Sequence, residues 1–182
     1  MEVRDKKYRI FLRDVRLSDV NDTYLKWMND PEVNRYMETR FQVQTLESIK
    51  GYVANHQTDL KESFWAICLP SYDRTLTHIG NIKIGPINGI HKNADISLFI
   101  GEKDLWGKGF GREAVNLATD YAFKNLNIHR LRAGVYESNK MSMKLFQSCD
   151  FLLEGIMKEA AYFEGDYIDV CIFGKVNFRQ PA

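Results

Sequence analysis

The segment Leu105-Trp106-Gly107-Lys108-Gly109-Phe110-Gly111-Arg112-Glu113-Ala114 constrains this chain more than any other. Behind its alternating glycines the pattern becomes that of an amphipathic helix, read over Gly109 to Asn125. Ala114, Ala118, Tyr121 and Ala122 form its inner stripe. Before the loop runs a strand, Ala94 to Ile100. It carries Ala94, Ile96, Leu98 and Ile100 on one face and Asp95, Ser97 and Phe99 on the other. Glycines let a backbone approach an anion closely, and a helix start aims unpaired N–H groups and its dipole at it. Strand, loop and helix together form a seat for a pyrophosphate; the alternative is a tight turn without a ligand.

Three phosphate-binding designs compete. A Walker A loop needs G-x-x-x-x-G-K-[ST], which no stretch satisfies. The dinucleotide fingerprint needs G-x-G-x-x-G and an acidic residue on the second strand. Here the glycines run G-x-G-x-G, and that strand reads His129-Arg130-Leu131-Arg132-Ala133. The x-x-x-G-x-G/A loop of acyl-CoA enzymes fits.

The remaining pattern supplies a mixed α/β frame in one continuous domain, residues 1–182. A strand is read at Tyr8 to Arg16, and Ser18-Asp19 as the start of a helix over Val20 to Met28. Asn29-Asp30-Pro31-Glu32 ends that helix and opens a short second one. Thr45 caps a longer helix reaching about Leu60, with Leu46, Ile49 and Val53 at helical spacing. Strands follow at Phe64 to Leu69 and Thr77 to Ile87, separated by a turn at Pro70-Ser71-Tyr72-Asp73, with a hairpin signal at Asn88-Gly89. After the glycine loop and its helix come a strand at Arg130 to Tyr136 and a helix opened by Ser138-Asn139. Two closing strands, Phe151 to Phe163 and Tyr167 to Val176, are joined at Glu164-Gly165-Asp166.

Charge narrows the partners. With 25 Lys and Arg against 24 Asp and Glu, the net charge is +1, without the basic surplus by which nucleic-acid binders neutralise phosphate. Cys68, Cys149 and Cys171 form no C-x-x-C pair, and no H-E-x-x-H occurs, so no metal site is expected. Three reduced thiols fit a reducing cytosol. The charged start, Met1-Glu2-Val3-Arg4-Asp5, leads into no apolar run, and none of about 18 residues appears elsewhere. A soluble, cytoplasmic protein with no membrane partner is expected.

Four blocks resemble the GNAT superfamily of N-acetyltransferases, in its RimJ/RimL-type branch. Trp106-Gly107-Lys108-Gly109-Phe110-Gly111 followed by Glu113-Ala114 is similar to that branch's W-G-K-G-[YF]-[AG]-x-E-A. Asn139 to Leu145 resembles N-x-x-S-x-x-[LV]. Glu154-Gly155, Lys158, Gly165, Tyr167 and Asp169 resemble E-G-x-x-[KR]…G-x-Y-x-D, and Trp27 to Val33 is also typical. The resemblance implies a GNAT-like fold: a central, mostly antiparallel sheet, splayed at the cofactor site and flanked by helices.

It also implies acetyl-CoA as co-substrate, with no metal, and a small-molecule amine as acceptor, and it leaves room for a homodimer. The pyrophosphate would sit on the N–H groups of Trp106, Gly107, Lys108, Gly109, Phe110 and Gly111, with Lys108 or Arg112 meeting CoA phosphates. The pantetheine arm would pair with the backbone of Leu98, Phe99 and Ile100, with Asn139 on its other side. A backbone N–H near Ile100 would serve as oxyanion donor. Many members protonate the thiolate with a Tyr where this chain has Phe146, so Ser142 becomes the first candidate acid and Tyr136 the second. The ribosomal-protein enzymes of the branch carry a Glu where this chain has Ala161, which leaves Asp95, through a water, as candidate base. Trp27, Asn29, Tyr162 and Tyr167 would wall the acceptor side. The missing Glu weakens acetylation of protein N-termini and points to an amino group on a nucleotide-linked sugar. A non-catalytic acyl-CoA-binding module and a dinucleotide-binding oxidoreductase are the other classes weighed.

Overall fold

The computed structural model describes residues 1–59, 61–70 and 76–178. Among the described residues eight strands form one sheet: β1 (Glu2–Val3), β2 (Phe11–Asp14), β3 (Ser63–Pro70), β4 (Leu76–Ile84), β5 (Asn93–Ile100), β6 (Arg130–Tyr136), β7 (Leu152–Phe163) and β8 (Asp166–Val176). Their order is β1-β2-β3-β4-β5-β6-β8-β7, and every neighbouring pair is antiparallel except β5 and β6.

Helices cover both faces. α3 (Phe110–Lys124) and α4 (Lys140–Ser148) lie on one face; α1 (Asp22–Asn29) and α2 (Leu46–Thr58) lie on the other. Adjacent residues of a strand point to opposite faces, so a sheet covered twice needs apolar side chains at consecutive positions. Leu12, Trp65 and Ile67 join the core under α3, while Phe11, Ala66 and Cys68 join the core under α1 and α2. The stripe read for α3 is in place: Ala114, Ala118 and Ala122 are buried, and Tyr121 packs beside them. All three cysteines are buried free thiols, and burial pushes the Cys68 thiol up to about 11.

Helix starts follow side-chain capping. The Thr45 hydroxyl accepts from the Ser48 amide, and the Asn139 side chain accepts from the Ser142 amide. The first helix starts later than expected, because Asn21 and not Ser18-Asp19 caps α1. Asp19 instead sits in a 3-10 turn and takes a two-pronged pair from Arg13, both oxygens at 2.7 Å. Pro31 opens no helix; the chain turns there, and a 3-10 turn forms later, at Glu38–Phe41. The Asn88-Gly89 signal makes no two-residue hairpin. β4 ends at Ile84, and the Asn88 carboxamide holds the intervening loop by accepting from the Ile90 and His91 amides. Leu60 and the turn residues Ser71, Tyr72 and Asp73 lie outside the described residues. Among the described residues no helix is long and apolar enough to cross a membrane.

Candidate active site

The site begins where the sheet opens. β5 and β6 pair only at Asn93–Arg130, Ala94–Leu131 and Asp95–Arg132; beyond that rung the two parallel strands diverge. The Asp95 carbonyl and the Gly101 amide both bond toward β4. Backbone groups alternate along a strand, so Leu98 and Ile100 present their N–H and C=O to the opening. The Ile100 carbonyl accepts the Trp106 indole N–H at 2.8 Å, which leaves the Ile100 N–H facing the gap. Phe99 corrects the sequence reading: its backbone pairs with β4 and not with the opening, and its ring packs against Tyr24 and Trp27 on the far face.

The glycine loop closes the wide end. Gly107 (φ 72°) and Gly109 (φ 89°) occupy the left-handed region that side chains disfavour. Gly109 is the N-cap of α3 and supplies no side-chain cap. The helix ladder starts with the Glu113 N–H on the Gly109 carbonyl, so the amides of Phe110, Gly111 and Arg112 stand ahead of it. A Cβ at Gly111 would touch Leu145 at 3.6 Å and Leu98 at 3.8 Å, so α3, α4 and β5 converge at this point. Lys108 and Arg112 are exposed and make no ion pair among the described residues. Positive-φ glycines, free helix-start amides and unpaired cations fit a pyrophosphate.

Ser142 lies one turn before Leu145 on α4, half-buried, and its hydroxyl meets no partner among the described residues. Phe146 is turned into the core against Phe151 and Phe173 and has no atom to donate a proton. Asp95 stands at the closed apex of the opening. Both its oxygens accept from Arg132, at 2.7 and 2.9 Å, so a water must compete with that guanidinium. Among the described residues no group of three or more His, Cys, Asp and Glu side chains could hold a metal ion.

Side chains build the opposite wall. A cleft of about 570 Å³ runs between the segment after α1 and the start of α4, lined by Glu32, Arg35, Tyr36, Trp106, Asn139 and Glu164 among others. Tyr136, at the end of β6, donates its O–H to Glu38 and accepts from Arg40 at 3.3 Å. Burial first, and then the Glu38 carboxylate, raise the Tyr136 phenol above its ordinary value. Arg40 also donates to the Tyr162 carbonyl at 2.9 Å and the Met37 carbonyl at 2.9 Å. Carboxylates in this wall carry cations: Glu32 has Lys103 at 2.7 Å, and Glu164 has Arg35 at 2.8 Å.

The residues expected to wall the acceptor divide. Trp27 is buried; its ring presses on Gly101, where a Cβ would come within 2.1 Å, and only its Nε1–H reaches out, to Glu102. Asn29 is occupied on both ends of its amide by the Gln44 backbone, so it clasps the segment and is not free for a ligand. Tyr162 and Tyr167 stand exposed as a cross-strand pair with ring centres 5.4 Å apart. Tyr36, Glu38 and Arg40 were not read from the sequence, and neither was Arg9, which grips the glycine loop from beside β2. Only Arg9 had a signal: an acidic Glu113 in the first turn of an anion-binding helix calls for a cation.

An acetyltransferase (GNAT) domain model matches residues 9–152. The uncharacterized N-acetyltransferase p20 of Bacillus licheniformis is 32% identical over 167 residues, 91% of each chain. A spermidine N(1)-acetyltransferase of Vibrio cholerae is 36% identical over 92 residues, 50% of this chain and 53% of that one. The crystal structure of spermidine N-acetyltransferase from Vibrio cholerae in complex with CoA and spermine superposes with a TM-score of 0.80. It is 25% identical and covers 92% of this chain and 95% of that one.

Proposed function

The chain belongs to the GNAT acetyltransferase family, and from that premise we propose that it moves the acetyl group of acetyl-CoA to a small primary amine held in the cleft beside Trp106. The observation that carries this reading is the convergence at Trp106. Its indole closes the opening by bonding Ile100, and the same residue lines the cleft. We read residues 1–182 as one catalytic domain of the RimJ/RimL-type branch, working in the cytoplasm.

The reaction is attack of a neutral amine on a thioester carbonyl. Alignment of the two substrates, an oxyanion donor, and proton transfers are what a protein can add. The backbone of Leu98 and the Ile100 N–H face the opening, and we assign the Ile100 N–H to the oxyanion. The amides of Phe110, Gly111 and Arg112 receive the pyrophosphate, with Lys108 and Arg112 beside them. Ser142 passes a proton to the departing thiolate while its hydroxyl takes one from water, so that no alkoxide is left. The ammonium proton leaves through a chain of waters toward Asp95, which lies five residues, about 16 Å, from Ile100 along β5 and must give up one Arg132 contact to accept it. Tyr136 serves the wall: it is held by Glu38 and Arg40 on the acceptor side.

For the acceptor we favour an amino group on a nucleotide-linked sugar. The exposed Tyr162–Tyr167 pair offers aromatic faces to a base or a sugar, and the cleft carboxylates are already engaged, Glu164 by Arg35 and Glu32 by Lys103, which it shares with Asp30. A polyamine is the second reading, because relatives of this chain are spermidine acetyltransferases; it requires carboxylates free to meet a polycation. The test is free-CoA release from the whole enzyme with a uridine-diphosphate-linked amino sugar, spermidine, or a peptide with a free N-terminus. Turnover with the sugar nucleotide supports the first reading. Turnover with spermidine alone selects the second, and turnover with the peptide alone overturns both.

A further inference from the structure

We propose that Arg9 is a positioning residue of the glycine loop and shields the bound pyrophosphate from the negative groups of the loop itself. The inference rests on the acetyl-CoA reading above.

Glu113 lies in the first turn of α3, beside the amides that receive the anion. A carboxylate there stabilises a free helix start but repels a phosphate that approaches the same end. The Lys108 carbonyl poses the same problem in smaller measure. Arg9 engages both. Its Nε donates to Glu113 Oε1 at 2.6 Å, its own backbone N–H donates to Oε2 at 2.7 Å, and Nη2 donates to the Lys108 carbonyl at 2.8 Å. The guanidinium lies over the Phe110 ring, 4.3 Å from its centre. A Cβ on Gly109 would come within 3.3 Å of Nη2.

One side chain thus touches or abuts Lys108, Gly109, Phe110 and Glu113. It occupies the Lys108 carbonyl and one oxygen of a carboxylate whose other oxygen takes the Arg9 backbone N–H and which keeps little exposure, 16%. With Arg9 present the Glu113 charge is cancelled, and the unpaired Lys108 and Arg112 set the field. Without it, Glu113 cancels one of those cations.

A scaffold role and a shielding role separate in a double-variant cycle read with two thioesters. S-acetylpantetheine has the reacting end of acetyl-CoA and lacks the pyrophosphate. Arg9→Gln is expected to weaken acetyl-CoA binding about tenfold, the scale of one lost charge interaction near a surface. Its kcat at saturation and its KM for S-acetylpantetheine stay at wild-type values. Arg9→Gln combined with Glu113→Gln is expected to bind acetyl-CoA within about threefold of wild type. A double variant no tighter than Arg9→Gln overturns the shielding, and so does equal weakening toward both thioesters. If Arg9→Gln does not fold, Glu113→Gln alone decides: binding at or above wild-type strength supports the proposal, and weaker binding overturns it. A wild-type enzyme that does not bind acetyl-CoA would defeat the functional reading on which the proposal rests.

Discussion

The two walls of the opening are made of different material. On the α3 side the chemistry is backbone: amides ahead of the helix ladder, two glycines at positive φ, and strand groups left unpaired where β5 leaves β6. On the side proposed for the acceptor it is side chains, among them Glu38, Arg40, Tyr136 and the Tyr162–Tyr167 pair, drawn from separate parts of the chain and held by charged contacts. A backbone seat recognises a group common to every acyl-CoA and changes little when side chains change. A side-chain wall can be rebuilt one residue at a time. One family can therefore keep one donor and take many acceptors.

The largest effect that would break this contrast is a change of backbone on the α3 side. Gly109→Val places a branched side chain at φ 89° and against Arg9. The left-handed region costs about 1–2 kcal/mol for an ordinary residue and more for a β-branched one. Acetyl-CoA at 100 times its Kd should add about 2.7 kcal/mol to wild type, a rise in Tm of roughly 5–10 °C for a chain of this size. The variant is expected to lose that rise altogether in a thermal melt. A full ligand-dependent rise would mean that the seat is not made by this backbone.

The same contrast governs what could be read in advance. The glycine loop, the helix behind it and the Asn139 cap are local, with their signals within a few residues. The wall is not: Arg40 meets Tyr162 across 122 positions, Glu38 meets Tyr136 across 98, and Arg9 meets Glu113 across 104. No periodicity links such pairs. The C-terminal block was legible as a pattern, and much of it builds the hairpin. Lys158 pairs with Asp169 at 2.7 Å, and Gly165 takes the positive φ of a tight turn. Trp27 and Asn29 belong to another block that the family resemblance marks, yet one is core and the other a clasp.

The next effect tests the wall alone. Arg40→Ala removes the donors to Tyr136, Tyr162 and Met37 together. We expect the acceptor KM to rise about tenfold while the KM for acetyl-CoA stays put, since charged hydrogen bonds are worth about 1.5–3 kcal/mol. A matching rise in both would show that the walls are not independent. Lys103, which ties Asp30 and Glu32 to the turn before the loop, is where such coupling would run.

Ser142→Ala comes third. General acids typically contribute 10²–10⁴-fold, but a thiolate is a good leaving group and water can replace the hydroxyl, so about a tenfold fall in kcat is expected. KM values should not move. An unchanged kcat over the whole pH profile assigns the proton to solvent and leaves Ser142 only its backbone bond to the Asn139 cap.

The smallest effect lies beneath the wall. His78 stacks edge-on against Tyr24 and Trp27, and its Nε2 meets the Gly80 carbonyl at 2.9 Å. Burial is the leading cause that lowers it below its ordinary 6.5; the Asp19 charge pulls it up, and Arg13 pushes it down. The folded ring therefore prefers to be neutral. Above pH 6.5 it is neutral in both states, and that preference is fully present as stability. As the pH falls from 6.5 through the lower folded value, the unfolded chain takes the proton first, and stability is lost. His78→Gln keeps a donor for Gly80 and cannot titrate, so its Tm should fall less than wild type between pH 7 and 5. Asp19, held below its usual range by the Arg13 guanidinium and the Arg16 amide against its burial, adds a separate loss only at more acid pH. Equal slopes for variant and wild type in the upper window would place the acid sensitivity elsewhere. A smaller slope would show that the floor under the acceptor wall, unlike the backbone seat opposite, is tuned by a single titratable side chain.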